Sequence, residues 1–131
     1  MSKRKSVYAK NFRHSNPIPN ASRIGNLLIS GLINGVDPAT GKVAATLEAQ
    51  CAHMFAHMRE TVEAGGGTAD DIIAINVWMM DRAQRQAVNR EWLKMFPDEA
   101  SRPARRTMKA DLEGGILVQC DFTAVIDTPS R

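Results

Sequence analysis

From Leu47 to Val62 the apolar residues recur at helical intervals. Leu47, Cys51, Met54, Met58 and Val62 make one stripe, with Phe55 at its border. Thr46 offers a capping hydroxyl just before the stripe, and Gly65-Gly66-Gly67 offers a left-handed stop just after it. A second amphipathic helix is predicted from Ala83, Ala87, Val88, Trp92, Met95 and Phe96, ending before Pro97. Elsewhere the period is two. Between Ile116 and Ile126 the even-numbered residues Ile116, Val118, Cys120, Phe122, Ala124 and Ile126 share one face. Leu117, Gln119, Asp121, Thr123 and Val125 share the other. The run Ile72 to Met80 is apolar on both faces, as in a strand covered on both sides. Shorter strands are predicted at Ser6–Lys10, at Ser22–Ile24 and Leu27–Gly31 around a Gly25-Asn26 hairpin turn, and at Ala104–Ala110. Asp37-Pro38-Ala39-Thr40-Gly41 reads as a turn and Thr68–Asp71 as a single capped turn. Asn16-Pro17-Ile18-Pro19-Asn20 reads as an extended loop, because two prolines forbid regular pairing.

The order is strands, helix, strand, helix, strands, without repeat or linker. It predicts one α+β domain over residues 1–131, with residues 1–5 as a basic tail. The expected core is a single mixed sheet of about six strands, with right-handed crossovers putting both helices on one face. Nothing in the chain is left to cover the opposite face, where Leu117 and Val125 are too apolar to stay wet. A homo-oligomer is therefore expected, its clefts edged by Asp121 and Gln119.

Composition narrows the function classes. With 131 residues, 44% hydrophobic and 24% charged, the chain matches an ordinary globular domain. No apolar run approaches bilayer length and no signal core follows the basic start, so a cytoplasmic protein without membrane contact is expected. Cys51 and Cys120 lack framework or metal-ligand spacing and read as reduced core thiols. Much of the excess charge lies in Lys3, Arg4, Lys5, Lys10 and Arg13. One Tyr and two Trp offer little base stacking, so nucleic acid is not the expected partner.

The strongest chemical candidate is Arg105. In Ser101-Arg102-Pro103-Ala104-Arg105-Arg106 a proline stiffens the entry to a strand, and adjacent arginines then point to opposite faces. One of them can grip a carboxylate with two parallel hydrogen bonds; the bland alternative is an arginine paired with a surface acid. His53 and His57 stand one helical turn apart but lack the glutamate of a metalloprotease helix and a third ligand, so no metal is expected. Met54, Met58, Met79 and Met80 read as adaptable core. The triple glycine lacks the lysine of a phosphate loop, and Ser30 has no triad partners.

Gly25-Asn26-Leu27-Leu28-Ile29-Ser30-Gly31 and Asp37–Gly41 resemble the opening hairpin and turn of the Rid/YjgF family, also called the L-PSP endoribonuclease family. So do Glu63–Gly66 with Asp70–Ile73, Val77-Trp78-Met79, Val88-Asn89 and Pro103-Ala104-Arg105, in that order. The resemblance spans Asn16 to Ile126. It implies a chorismate-mutase-like fold assembled as a homotrimer around a central barrel, with clefts between subunits. Active members hydrolyse 2-aminoacrylate and related enamines or imines to 2-keto acids and ammonia, without metal or organic cofactor. It further implies that Arg105 holds the substrate carboxylate and that Asp121, after a one-residue gap near Ala110, positions the attacking water. Ile18, Ser30, Gly31, Asn89, Arg106 and Thr107 complete the implied substrate-binding set. Asp121 is a methylene shorter than the usual glutamate, and Ile18 replaces a pocket tyrosine. Arg106 follows the arginine where a small residue is common, and Thr107 replaces a frequent cysteine. These departures point to a bulkier or dianionic enamine, or to weak activity. A non-catalytic module for small carboxylates and an endoribonuclease are the competing readings.

Overall fold

The computed structural model describes residues 3–127. Strand β1 (Lys5–Val7) lies antiparallel to β2 (Ala21–Ile24), which turns at Gly25-Asn26 into β3 (Leu27–Ser30). Gly25 takes φ +57°, the left-handed conformation that this turn demands. The first strand is shorter than predicted and starts earlier. Lys5 pairs opposite Arg23, so the basic leader is partly built into the sheet, while Met1 and Ser2 lie outside the described residues.

After β3 come three short strands that the alternation pattern did not reveal: β4 (Ile33–Asn34), β5 (Val36–Asp37) and β6 (Lys42–Val43). Two-residue strands carry too little alternation to be seen. The predicted turn at Asp37–Gly41 is the loop of the β5–β6 ribbon, with Asp37 Oδ1 accepting from the Ala39 N–H at 2.9 Å. Helix α1 (Leu47–Ala64) begins at the predicted cap, where the Thr46 hydroxyl accepts from Ala49 N–H. The whole predicted stripe and Phe55 are buried. Gly35 lets the β4–β5 segment cross α1 closely, since a side chain there would collide with the backbone of Gln50. Gln50 is itself 1% exposed, and its amide bonds Ala44 O, Gly115 O and Leu117 N–H, tying two loops to the helix.

A capped 3-10 turn at Ala69–Asp71 leads into β7 (Ile72–Met79), the centre of the fold. The second helix is split. Asp81 caps a 3-10 turn at Arg82–Gln84, and α2 (Gln86–Met95) starts only afterwards, so Ala83 is exposed instead of joining the apolar face. Strand β8 (Ala104–Lys109) then runs parallel to β7, and β9 (Val118–Val125) antiparallel to it. The sheet order is β1-β2-β3-β9-β7-β8, with β4 also pairing to β9, giving a mixed and mostly antiparallel seven-stranded sheet. Helix α1 and, through Ala87 and Val88, helix α2 join one side of this sheet in a common core, while Leu93 of α2 stays about half exposed.

The other side is open. Ile24, Leu27, Ile29 and Val125, neighbours on β2, β3 and β9, are each about half exposed. Leu117 is not among them. It precedes β9, its N–H is held by Gln50, and it packs against the core. Met80 also departs from expectation: it is partly exposed beyond the end of β7, where its sulfur accepts from Leu112 N–H. Among the described residues no helix is long and apolar enough to cross a membrane.

Candidate functional site

Strand β8 delivers Arg105 and Arg106 to opposite sides. Arg105 pairs in register with Ile75, which is buried in the core, and so points toward α2. There its Nη2 donates to Asn89 Oδ1 at 2.7 Å, and its guanidinium lies 4.9 Å from the ring centre of Trp92. Burial, and then the charge of Arg85, draw the Arg105 pKa below the ordinary arginine value, although the group stays charged near neutrality. Among the described residues no carboxylate pairs with it. A half-buried cation held on one side by an amide oxygen and an aromatic face, and answered by no acid, favours an anion on its remaining side.

Arg106 pairs with Asn76 on the open face. Its Nη1 donates to Asn76 Oδ1 at 3.0 Å, and Asn76 Nδ2 donates to Asp121 Oδ1 at 2.9 Å. Asn76 thus relays between a cation and an anion on the strands to either side of it. Gln119 sits two residues before Asp121 on the same face, opposite Trp78 and Asn34.

A third group gathers near the end of β3. The Ser30 hydroxyl is 7% exposed, accepts from Phe122 N–H and donates to Gly31 O, both at 2.8 Å. It supplies a partner to β9 where the ladder passes from β3 to β4. Gly31 N–H bonds Asn20 O, and Asn20 in turn ties down Ala9 and Phe12. The edge of the His14 ring adjoins Gly31, and its Nε2 is buried without a hydrogen-bond partner. Burial lowers the His14 pKa. Ile18 projects from the proline loop, about half exposed.

The chain and its fold resemble known proteins. A family profile described as Endoribonuclease L-PSP covers residues 15–126. The chain belongs to the Rid/YjgF, or endoribonuclease L-PSP, family. A RutC family protein of Pasteurella multocida is 31% identical over 112 residues, 83% of this chain and 87% of that one. A RutC family protein of Haemophilus influenzae is 33% identical over 82 residues, 63% of each chain. The 2-iminobutanoate/2-iminopropanoate deaminase of Escherichia coli is 29% identical over 104 residues, 78% of this chain and 81% of its own. Among solved structures, a Rid-family protein of Yersinia pestis superposes with TM-score 0.86 at 21% identity, covering 94% of this chain and 99% of its own. A probable translation initiation inhibitor of Rhodopseudomonas palustris reaches 0.88 at 26% identity, with 95% and 99% covered.

In this Rid-family chain the predicted site residues fall into the three groups just described. Arg105 and Asn89 touch. Thr107 lies two residues on, on the same side as Arg105 and in register with Val77. Arg106 and Asp121 are joined through Asn76 on the other face. Ser30, Gly31 and Ile18 lie toward β3, which β9 and β7 separate from β8. Sequence reasoning missed Trp92, taken only as core, and Asn76, hidden inside an apolar run. It also missed Arg85, although the spacing Arg85, Asn89 and Trp92 traces one helical stripe. Cys51 and Cys120 are buried and free, and burial raises both thiols, Cys51 to about 12, so neither is a nucleophile at neutral pH. His57 is equally committed: its Nε2 lies 2.7 Å from Val36 O and its ring stacks on Phe12.

Proposed function

We propose that this chain is a hydrolytic deaminase of small reactive enamines and imines of the 2-aminoacrylate type, releasing 2-keto acids and ammonia. The observation that carries the reading is the Arg105 guanidinium, fixed by Asn89 and Trp92 and unanswered by any described carboxylate. The name of the Escherichia coli relative supports the same chemistry. Arg105 holds the substrate carboxylate. The enamine takes a proton on carbon to become the imine, and water adds to the imine carbon. The resulting carbinolamine expels ammonia and leaves the 2-keto acid. Asp121 accepts the proton of the attacking water and returns it to the nitrogen that leaves as ammonia. Such imines hydrolyse unaided, so orientation and modest acid–base help suffice.

Arg105 and Asp121 project from opposite faces of one protomer, so a single site requires them from different copies. The half-exposed Ile24, Leu27, Ile29 and Val125 support assembly through the open face. In the homotrimer we propose, Arg105, Asn89 and Thr107 of one copy meet Gly31, Ile18 and Asp121 of the next, with Ser30 shaping the backbone beside Gly31. The test uses imines generated by an amino-acid oxidase, with 2-keto acid appearance followed for the wild type and Arg105→Ala. Acceleration that vanishes in the variant supports the deaminase.

A second reading, a non-catalytic module for small carboxylates, draws on the same guanidinium and on Asp121 being tied to Asn76. Calorimetric carboxylate binding without acceleration of any imine would select it. The family's ribonuclease label finds less support here: His53 approaches Asp37 at 4.0 Å and His57 is bonded to Val36, so neither stands as a free general base beside Arg105.

A further inference from the structure

We infer that the Arg105 site takes a dicarboxylate, with Arg85 receiving the second carboxylate of the ligand that Arg105 clamps by the first. The inference rests on the carboxylate-binding role of Arg105 proposed above. Asn89 links the two cations: its side-chain oxygen accepts from Arg105 at 2.7 Å and its backbone N–H donates to Arg85 O at 2.9 Å. Arg85, the residue just before α2, thus stands one turn ahead of Asn89, in line with the stripe of α2 that carries Asn89 and Trp92 to Arg105. Trp92 occupies the next place on that stripe, and the Arg105 guanidinium lies 4.9 Å from its ring centre.

Arg85 is exposed, and its guanidinium makes a bond to Arg82 O at 3.0 Å that leaves most of its donors for a ligand. Among the described residues neither arginine forms an ion pair. Their mutual repulsion is felt at Arg105, where Arg85 adds to the effect of burial. A monocarboxylate answers one of these charges and a dicarboxylate answers both. Two separate guanidiniums, one carried by β8 and one by the residue leading into α2, suit carboxylates at the two ends of a short carbon chain better than two charges on one phosphorus atom. Arg106, the cation adjacent in sequence, cannot serve from the same protomer, because it lies on the opposite face bonded to Asn76.

The test is calorimetry on the full-length chain as it assembles, with succinate, propionate and inorganic phosphate as unreactive probes at one ionic strength. The wild type should bind succinate about tenfold or more tightly than propionate. Arg85→Gln should collapse that ratio toward one and Arg85→Lys should keep part of it, while Arg105→Gln should weaken both carboxylates together. Equal wild-type affinities, a ratio that survives Arg85→Gln, no binding of either carboxylate, or phosphate bound more tightly than succinate would each overturn the inference. Because the probes do not react, a failure of imine hydrolysis would sink the deaminase reading while leaving this ratio measurable.

Discussion

The covered and open faces of the sheet are drawn from alternate residues of the same strands, yet they answer their charges differently. On the covered face Arg105 ends between Asn89 and Trp92 with no described acid to neutralise it. On the open face Arg106, the next residue, reaches Asp121 through the Asn76 amide, so cation and anion are already joined. The surroundings of the two faces differ in the same sense. Ile75 on the covered side is 1% exposed, whereas Ile29 on the open side is 51% exposed. A covered face can hold a half-buried cation between an amide and an aromatic ring without an acid beside it. An uncovered one gives only a solvated relay, beside apolar residues that stay about half exposed. The different surroundings of two adjacent arginines therefore come from the layer each one meets.

The largest expected effect tests the packing side of this contrast. Ile75→Ala should cost about 2–5 kcal/mol in urea unfolding, whereas Ile29→Ala should stay within about 0.5 kcal/mol for an unassembled protomer. Equal losses would erase the distinction between the faces. Ile29→Asp should instead shift the assembled species toward monomer in sedimentation. Next comes Arg105→Ala, which should lower kcat/KM for 2-aminoacrylate about a hundredfold, the loss of a bidentate charge-assisted contact, with little change in unfolding midpoint.

A smaller loss, about tenfold, is expected for Asp121→Asn, which keeps an acceptor for Asn76 but removes the base. Mixing Arg105→Ala and Asp121→Asn chains by joint refolding should restore part of the wild-type rate if each site draws one residue from each copy. Absence of recovery, with mixed oligomers demonstrated, would count against a shared site. The smallest effect is on pH. Burial holds His14 and His57 below the ordinary value of 6.5, so the unfolded chain takes up protons that the folded chain refuses. Stability should therefore fall as pH drops below about 6.5. The denaturant midpoint should be lower at about pH 5.5 than at about pH 7.5, and His57→Gln should flatten that slope.

The elements with long periodic signals are legible in the order of residues alone. The α1 stripe, the Gly25-Asn26 hairpin and the alternation of Val118 to Val125 need only neighbours within the chain, and each lies where the pattern puts it. The β4, β5 and β6 strands are not legible, because they are too short to alternate and depend on β9, on each other and on the passage of Gly35 over Gln50. Leu117 reads as open-face strand only if alternation is carried past the point where the ladder begins, and Gln50 redirects it. At the site, the Pro103-Ala104-Arg105 segment marks its arginine by rigidity and charge. Nothing local can show that Asn89 and Trp92 flank it, since α2 reaches Arg105 only after β7 and β8 have paired.

Periodicity, turn chemistry and the arginine beside a proline follow from contacts within a few residues, and one chain's order of letters is enough to dictate them. Which arginine meets a helix and which meets Asn76 depends on strand register and on which side the helices pack. Those are consequences of burying one core among segments far apart in the chain, and they arise only when the whole domain closes.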